Sequence, residues 1–392
     1  IIGNVPHLRF PEFSGEWNKY TINDLATVVG GGTPDTTVKS YWGGDIQWFT
    51  PSEIGKNKYV DFSKRTITRD GLDNSSAKLL PLHTILLSSR ATVGECSIAS
   101  NECTTNQGFQ SLIAKQCNID FLYYLIQTKK KDLIRNACGS TFLEISANEI
   151  RKIKVAVPVQ NEQEQIAKLL SLIDERIATQ NKIIEKLQSL IKGLVDELMT
   201  VLLKGKLYPF SSFYIKAGEG GTPTTSVVEY YTEGTIPFIK IEDLSCKYLT
   251  NNKDFITELG MQKSSAWLIP SKSVIYSNGA TIGAISINEY PVCTKQGILG
   301  IVPNTNINVE YLYLLMSSSY FSKEISRIIT EGTMKTAYLK DINHIKCPLP
   351  SMAQQKNITN LTSSIEEKLS IEQELLRFLN LQKQYLLHMI FI

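Results

Sequence analysis

Two turns of identical sequence, Gly31-Gly32-Thr33-Pro34 and Gly220-Gly221-Thr222-Pro223, are the first residues in this chain whose types could do chemistry. Glycine permits a tight turn between strands, and proline presets the next corner. The same turn, with free amides and the hydroxyls of Thr33 and Thr222, can approach a phosphate closely. The turn role is preferred, because a fold repeated within one chain repeats its turns. A second pair of loops, Ser88-Ser89-Arg90-Ala91-Thr92-Val93-Gly94 and Ser277-Asn278-Gly279-Ala280-Thr281-Ile282-Gly283, keeps its frame while Gly279 stands where Arg90 does. Arginine pairs bidentately with guanine, so a constant frame with an altered tip suits two modules that read different sequences. A solvated surface arginine is the equal alternative. In a third pair, Thr105-Asn106-Gln107-Gly108 and Thr294-Lys295-Gln296-Gly297, the amides can pair with adenine and Lys295 with phosphate. Amides before glycine also build turns, and that reading is preferred.

Basic side chains add Lys39, Lys64, Arg65, Arg69 and Lys78 in the first half, and Lys240, Lys247, Lys253, Lys263 and Lys272 in the second. Taken singly, a solubilising role is preferred for each. The candidate nucleic-acid contacts are therefore Thr33, Lys39, Arg65, Arg69, Ser89, Arg90, Thr92 and Asn106, and Thr222, Lys240, Lys263, Asn278, Thr281 and Lys295. No catalytic or metal-ligating set is expected. The sequence contains no GxxxxGK[ST], HExxH or GxSxG motif, and its glycine clusters fail the full GxGxxG spacing. Pro34-Asp35 could open a nuclease motif, but the only acid-x-Lys triplet, Glu366-Glu367-Lys368, lies far away. Seven cysteines without a CxxC pair and four scattered histidines exclude a zinc cluster or a disulfide framework.

The formal charge of +3 over 392 residues, 42% of them hydrophobic, describes an ordinary globular chain. A self-sufficient DNA binder usually carries a stronger basic footprint, so partners would supply part of any grip on phosphate. Unclustered thiols and the lack of an apolar run of about 18 residues predict a cytoplasmic protein with no membrane partner. The chain begins with Ile1, not Met, and its true start is left open.

The elements that must position these loops are written twice. The Gly-Gly-Thr-Pro turns, Leu79-Leu80-Pro81 with Leu268-Ile269-Pro270, Ala91-Thr92-Val93-Gly94 with Ala280-Thr281-Ile282-Gly283, and Gln107-Gly108 with Gln296-Gly297 share one register. Small indels then carry Pro158 onto Pro350. Within each copy, short β-branched and aromatic runs such as Thr84-Ile85-Leu86-Leu87 and Ser273-Val274-Ile275-Tyr276 read as strands, and residues 119–130 and 309–323 as helices opened by asparagine. The expected class is α+β: globules over 1–158 and 206–350, each followed by a long helix over 159–205 and 351–392.

Beyond each proline the pattern becomes a heptad. Ile166, Leu170, Ile173, Ile177, Ile184 and Leu187 keep a 3.5-residue period interrupted at Gln180; Ile358, Ile365, Leu369, Leu376 and Leu379 keep it in the second copy, interrupted at Thr362, Glu372 and Lys383. Glu372 aligns with Gln180. At ~1.5 Å per residue such a helix is roughly 60 Å long, more than one small domain can cover. Two matched stripes separated by a globule predict an antiparallel coiled coil with one globule at each end.

This combination resembles the specificity subunits of type I restriction-modification enzymes. The resemblance rests on Val5-Pro6-x-Leu8-Arg9-Phe10-Pro11-Glu12-Phe13, the paired Gly-Gly-Thr-Pro and Ala-Thr-[Val/Ile]-Gly motifs, and the matched ends running from Pro158 to Ile166 and from Pro350 to Ile358. It implies a non-catalytic subunit with two target-recognition domains, each reading half of a split, asymmetric site on double-stranded DNA. Two methylation subunits and two restriction subunits would assemble around it, with the paired helices acting as dock and ruler. S-adenosylmethionine, Mg2+ and ATP would reside on those partners, and no cofactor on this chain. The second copy departs by lacking the opening Val-Pro-x-Leu-Arg-Phe segment. Competing readings are a coiled-coil scaffold joining two protein-binding globules and, on Pro34-Asp35 alone, a free-standing nucleic-acid enzyme.

Overall fold

A computed structural model describes residues 5–139, 143–329 and 335–391. The first repeat folds its β-branched runs into a five-stranded sheet in the order Ala26–Gly30, Gln110–Ala114, Ile85–Leu87, Cys96–Ala99, Tyr59–Val60. A three-stranded sheet follows the order Arg65–Ile67, Trp42–Phe49, Cys103–Thr105, and Asn18–Thr21 pairs with Lys154–Val157 to close the globule beside the long helix. The second repeat has the same strand order in all three sheets: Tyr214–Glu219, Ile298–Pro303, Val274–Ser277, Ile285–Asn288, Tyr248–Leu249; then Asp254–Ile256, Ile236–Ile239, Cys293–Thr294; then Leu207–Pro209 with Lys346–Pro348. The sheets are mixed, with the pairs Tyr59–Val60/Cys96–Ala99 and Trp42–Phe49/Cys103–Thr105 parallel and the remainder of the first repeat antiparallel.

Each globule also holds an apolar helix, Ile119–Thr128 or Val309–Ser317, begun by Asn118 or Asn308 whose side chain accepts the free amide of Phe121 or Tyr311. The expected single helices are interrupted. Helices Lys130–Arg135 and Ser319–Ile328 follow as separate pieces, and Ser318 recaps the second by accepting from the Phe321 amide at 3.2 Å.

The long helices are Gln160–Leu202 and Met352–Ile390, and the chain divides into two compact units, residues 1–181 with 374–392, and 182–373. In the first unit Ile166 and Leu170 are buried in the core of the globule, together with Ile390 and Phe391 from the end of the other helix. Asp174 meets Lys383 at 2.7 Å, and Leu169, Ile173 and Arg176 share a groove with Leu375, Leu379 and Gln382. Numbers rise along one helix as they fall along the other, so the two run in opposite senses in this unit. Lys383, a break in the apolar stripe, is there to pair with Asp174. In the second unit Val195, Met199 and Ile358 join the core around Phe210, Phe321 and Tyr311. In the first unit Ile177 and Leu376 are partly withdrawn from solvent and Gln180 is buried; in the second Ile184, Leu187, Ile365 and Leu369 are at least partly withdrawn and Thr362 and Glu372 are buried.

The same buried glutamine fixes each helix to its globule. Gln163 donates to the Pro158 carbonyl at 2.9 Å and accepts the Asn118 amide at 3.0 Å; Gln355 donates to Pro350 and Asn306 and accepts the Asn308 amide at 2.7 Å. A lysine repeats the arrangement lower on the helix. Lys58 pairs with Asp120 at 2.7 Å and donates to Ser171 at 2.7 Å, while Lys247 pairs with Glu310 and Glu366. Only the first unit adds the opening segment. Arg9 grips Glu162 with two hydrogen bonds of 2.7 and 2.8 Å, the Trp17 indole donates to the same carboxylate, and the Leu8 amide donates to the Met389 carbonyl. The segment thus binds the helix ends of its own unit.

Removing the acceptor of a buried amide leaves a desolvation cost of about 1–3 kcal/mol. Gln163→Leu should lower the stability of the chain by about that amount in urea denaturation, whereas Gln160→Leu, at an exposed position three residues earlier, should change it by less than about 0.5 kcal/mol. Five thiols are buried and only Cys138 and Cys246 are exposed; burial pushes Cys96, Cys103, Cys117 and Cys347 up to about 12 and Cys293 up to about 11. An alkylating reagent at mildly alkaline pH should therefore label Cys138 and Cys246 in the native chain and reach the other five only after denaturation, as read by mass spectrometry.

Candidate nucleic-acid interface

The three loop motifs of the first repeat form one surface. The Gly32 amide donates to the Thr105 carbonyl at 2.8 Å, and Thr33 donates to Gln107, which joins the Gly-Gly-Thr-Pro turn to the Thr105–Gly108 turn. The Ser89 amide donates to the Gly108 carbonyl at 2.8 Å, which joins the third loop. Neither Gly31 nor Gly32 has the positive φ that glycine-rich turns lead one to expect. Their need for glycine is close approach: a Cβ on Gly31 would lie 2.0 Å from the Asn106 carbonyl oxygen, and one on Gly32 2.3 Å from the Ala77 nitrogen. Gly220 and Gly221 repeat this, with a Cβ falling 2.1 Å from the Thr294 carbonyl oxygen and 2.2 Å from the Ser265 hydroxyl. In the second unit the Gly221 amide donates to Thr294, the Gln296 amide to the Thr222 hydroxyl, and the Asn278 amide to the Gly297 carbonyl at 3.0 Å.

Within the Ser88–Gly94 and Ser277–Gly283 loops the left-handed non-glycine residues sit at the tip. Ala91 and Ala280, aligned positions and both alanine, hold φ of 63° and 42°. Such backbone costs energy without glycine and persists only where its surroundings enforce it. Here the enforcement comes from below: Ser88 bonds the Thr92 hydroxyl and the Arg90 carbonyl, and Ser277 bonds the Gly279 carbonyl.

Several sequence-derived candidates are engaged within the protein on this surface. Ser89 and Asn278 are buried beneath the tip, so they support it instead of facing solvent. Asn278 donates to the Ala337 carbonyl at 3.1 Å. The Asn106 side chain accepts the Gly108 amide at 2.9 Å, which is the turn role. Arg90 is exposed at the tip but its guanidinium bonds Glu144 at 2.7 and 3.1 Å. Arg69 pairs with Asp73 at 3.3 Å within one helical turn, and Lys240 with Asp254 at 2.9 Å, which raises the lysine pKa. Thr92, Thr281, Lys39, Lys263 and Lys295 are exposed, and Thr33 and Thr222 are half-buried. Pro34-Asp35 forms no acidic cluster: Asp35 accepts from the Thr37 hydroxyl and amide, which lowers its pKa, and among the described residues no group of three or more metal-ligating side chains could hold an ion.

Residues that the loop motifs did not flag complete the surface. The Trp48 indole donates to the Gly32 carbonyl at 2.9 Å and the Trp42 indole to the Asp35 carbonyl at 3.1 Å. Arg65 lies on the Trp42 face, 3.6 Å from its centre. The aligned Tyr231 makes the same hook in the second unit, its hydroxyl donating to the Pro223 carbonyl at 2.5 Å. The signal was present as an aromatic residue at a shared register, Trp42 and Tyr231, but hydroxyl and indole differ enough to hide it.

Comparisons with known proteins match this duplicated architecture. The family model described as type I restriction modification DNA specificity domain matches twice, over residues 14–189 and 213–380. The type I restriction enzyme MjaIX specificity subunit of Methanocaldococcus jannaschii is 29% identical over 396 residues, covering 94% of this chain and 89% of that protein. The EcoR124I/EcoR124II specificity subunit of Escherichia coli is 29% identical over 175 residues, 43% of each chain. The crystal structure of a type I restriction-modification S subunit from M. genitalium has the same fold, with a TM-score of 0.55, 19% identity and 99% of each chain covered. No helix among the described residues is long and apolar enough to cross a membrane. The chain belongs to the type I restriction-modification specificity subunits, the non-catalytic components that recognise the DNA target in complex with other subunits.

Proposed function

We propose that this chain reads a bipartite, asymmetric target on double-stranded DNA, one half-site per globule, and brings methylation and restriction subunits to it. The observation that carries this reading is one loop frame built twice with different residues at its rim: Arg90 against Gly279 and Arg65 against Asp254. The long helices act as a coiled-coil ruler between half-sites and as the dock for two methylation subunits, with two restriction subunits in the full assembly. S-adenosylmethionine, Mg2+ and ATP belong to those partners, and the complex works in the cytoplasm, where DNA and reduced thiols coexist. The opposed helices of the first unit and the heptad spacing of both helices support the ruler.

The first test is adenine-methylation sequencing in a host that expresses the partner methylation subunit, with and without this chain. A split asymmetric motif is expected only when the chain is present; methylation by the chain alone would instead make it an enzyme. The ruler has its own test. Removing one heptad from both helices should change the number of base pairs tolerated between the half-sites while the bases of each half-site stay the same; an unaltered gap would sink that idea.

A further inference from the structure

Arg90, which the sequence offers equally as a guanine contact or a solvated arginine, has its guanidinium committed to Glu144. Arg65 is placed differently. It is exposed on the outer strand of the three-stranded sheet, opposite Trp48 in register, and its guanidinium lies 3.6 Å from the centre of Trp42 and 5.5 Å from that of Trp48. The two indoles pack edge to face at 5.0 Å, so Arg65 rests on a rigid pair. Among the described residues its side chain makes no hydrogen bond and no ion pair. All five N–H donors remain in the plane of a guanidinium whose face is occupied, which is the preorganised fork that recognises the guanine edge.

The aromatic pair is also tied to the loop surface. Through their indole N–H groups Trp42 and Trp48 hold the Asp35 and Gly32 carbonyls that flank Thr33-Pro34, so Arg65 stands at a fixed place beside the Gly-Gly-Thr-Pro turn. The second unit keeps the hook through Tyr231 but places Asp254 where Arg65 stands, and that carboxylate is engaged by Lys240.

Resting on the DNA-reading function above, we infer that Arg65 reads a guanine in the half-site of the first globule, with Trp42 as its positioning residue, and that the second half-site has no equivalent reader at this position.

The experiment compares methylation motifs and occupancies for the wild-type chain, Arg65→Ala, Arg65→Lys and Trp42→Leu, each co-expressed with the partner methylation subunit, with thiol labelling of Cys138 and Cys246 alone as the check that each variant is folded. Arg65→Ala and Arg65→Lys should both relax one guanine in one half-site, raising adenine methylation at sites that carry another base at that position by on the order of ten- to a hundredfold relative to cognate sites, and leave the other half-site intact. Trp42→Leu should relax the same guanine more weakly. Duplex binding by the purified complex should keep its salt slope in Arg65→Lys and in Arg65→Ala. If Arg65→Lys restores the wild-type motif, or if Arg65→Ala leaves every base specified while lowering the salt slope by about one, Arg65 grips phosphate and the inference is overturned. A wild-type chain that directs no sequence-dependent methylation would overturn the DNA-reading function itself, an outcome distinct from a motif that exists but ignores Arg65.

Discussion

Everything that this molecule does at its loops depends on how a long helix is rooted in a small globule. Gln163 and Gln355 are fully buried, each bridging the proline that ends the globule and the amide that opens its apolar helix. A glutamine can satisfy both ends of such a bridge, because its side chain carries a donor and an acceptor together. Lys58 and Lys247 then fix rotation about the helix axis by pairing with a carboxylate on the apolar helix, and in the first unit the contact extends through Tyr124 to Asp174 and on to Lys383. Burial, and secondarily the bond to Asp174, raises the Tyr124 pKa, so this phenol stays a donor at any pH the protein meets. A helix held by one bridge could swivel. Two separated bridges, about two turns apart in the first unit and about three in the second, set its direction.

From that root the loops inherit their positions. The five-stranded sheet packs on the apolar helix through Ile85, Leu87, Ile98 and Leu112, and the three loop motifs leave the ends of its strands. Glycine at Gly31 and Gly220 lets one turn press against the backbone of the next, closer than any side chain would allow. The surface is therefore a single stack of backbone, with side chains added at its rim. Substitution at the rim alters chemistry without moving the stack, which is how Arg65 and Asp254 occupy one place in two copies of a frame.

The sequence made the repeat, the heptads and the family legible, because each is a pattern along the chain with its own period or offset. Strands such as Ile85–Leu87 and Val274–Ser277 lie where the β-branched runs placed them. The pairings that decide roles were not legible in the same way. Ser89 and Asn278 look like polar loop residues, yet the bridges that bury them come from Ile145 and Ala337, more than fifty residues away. Arg90 reads as a free tip until Glu144 is brought to it across the same fold. Lys58 and Lys247, or Gln163 and Gln355, could have been found by asking which polar residues repeat at the copy offset, since a polar side chain kept in both copies of a buried layer has a partner. The Arg9–Glu162 clamp had no such signal, being made once.

The balance of charge gains a meaning from these pairings. Arg69, Arg90, Lys130, Lys240 and Lys272 all spend their charge on a neighbouring carboxylate. Exposed pairs of this kind add little to stability, about 0–1 kcal/mol each, so their number is not explained by folding. On the loop side, the pairing of Arg90 with Glu144 and of Lys240 with Asp254 lowers the positive field, and with it the attraction for phosphate that rises with each unneutralised cation. On the proposed DNA-reading function, discrimination falls to the few groups, such as Arg65, whose donors are free.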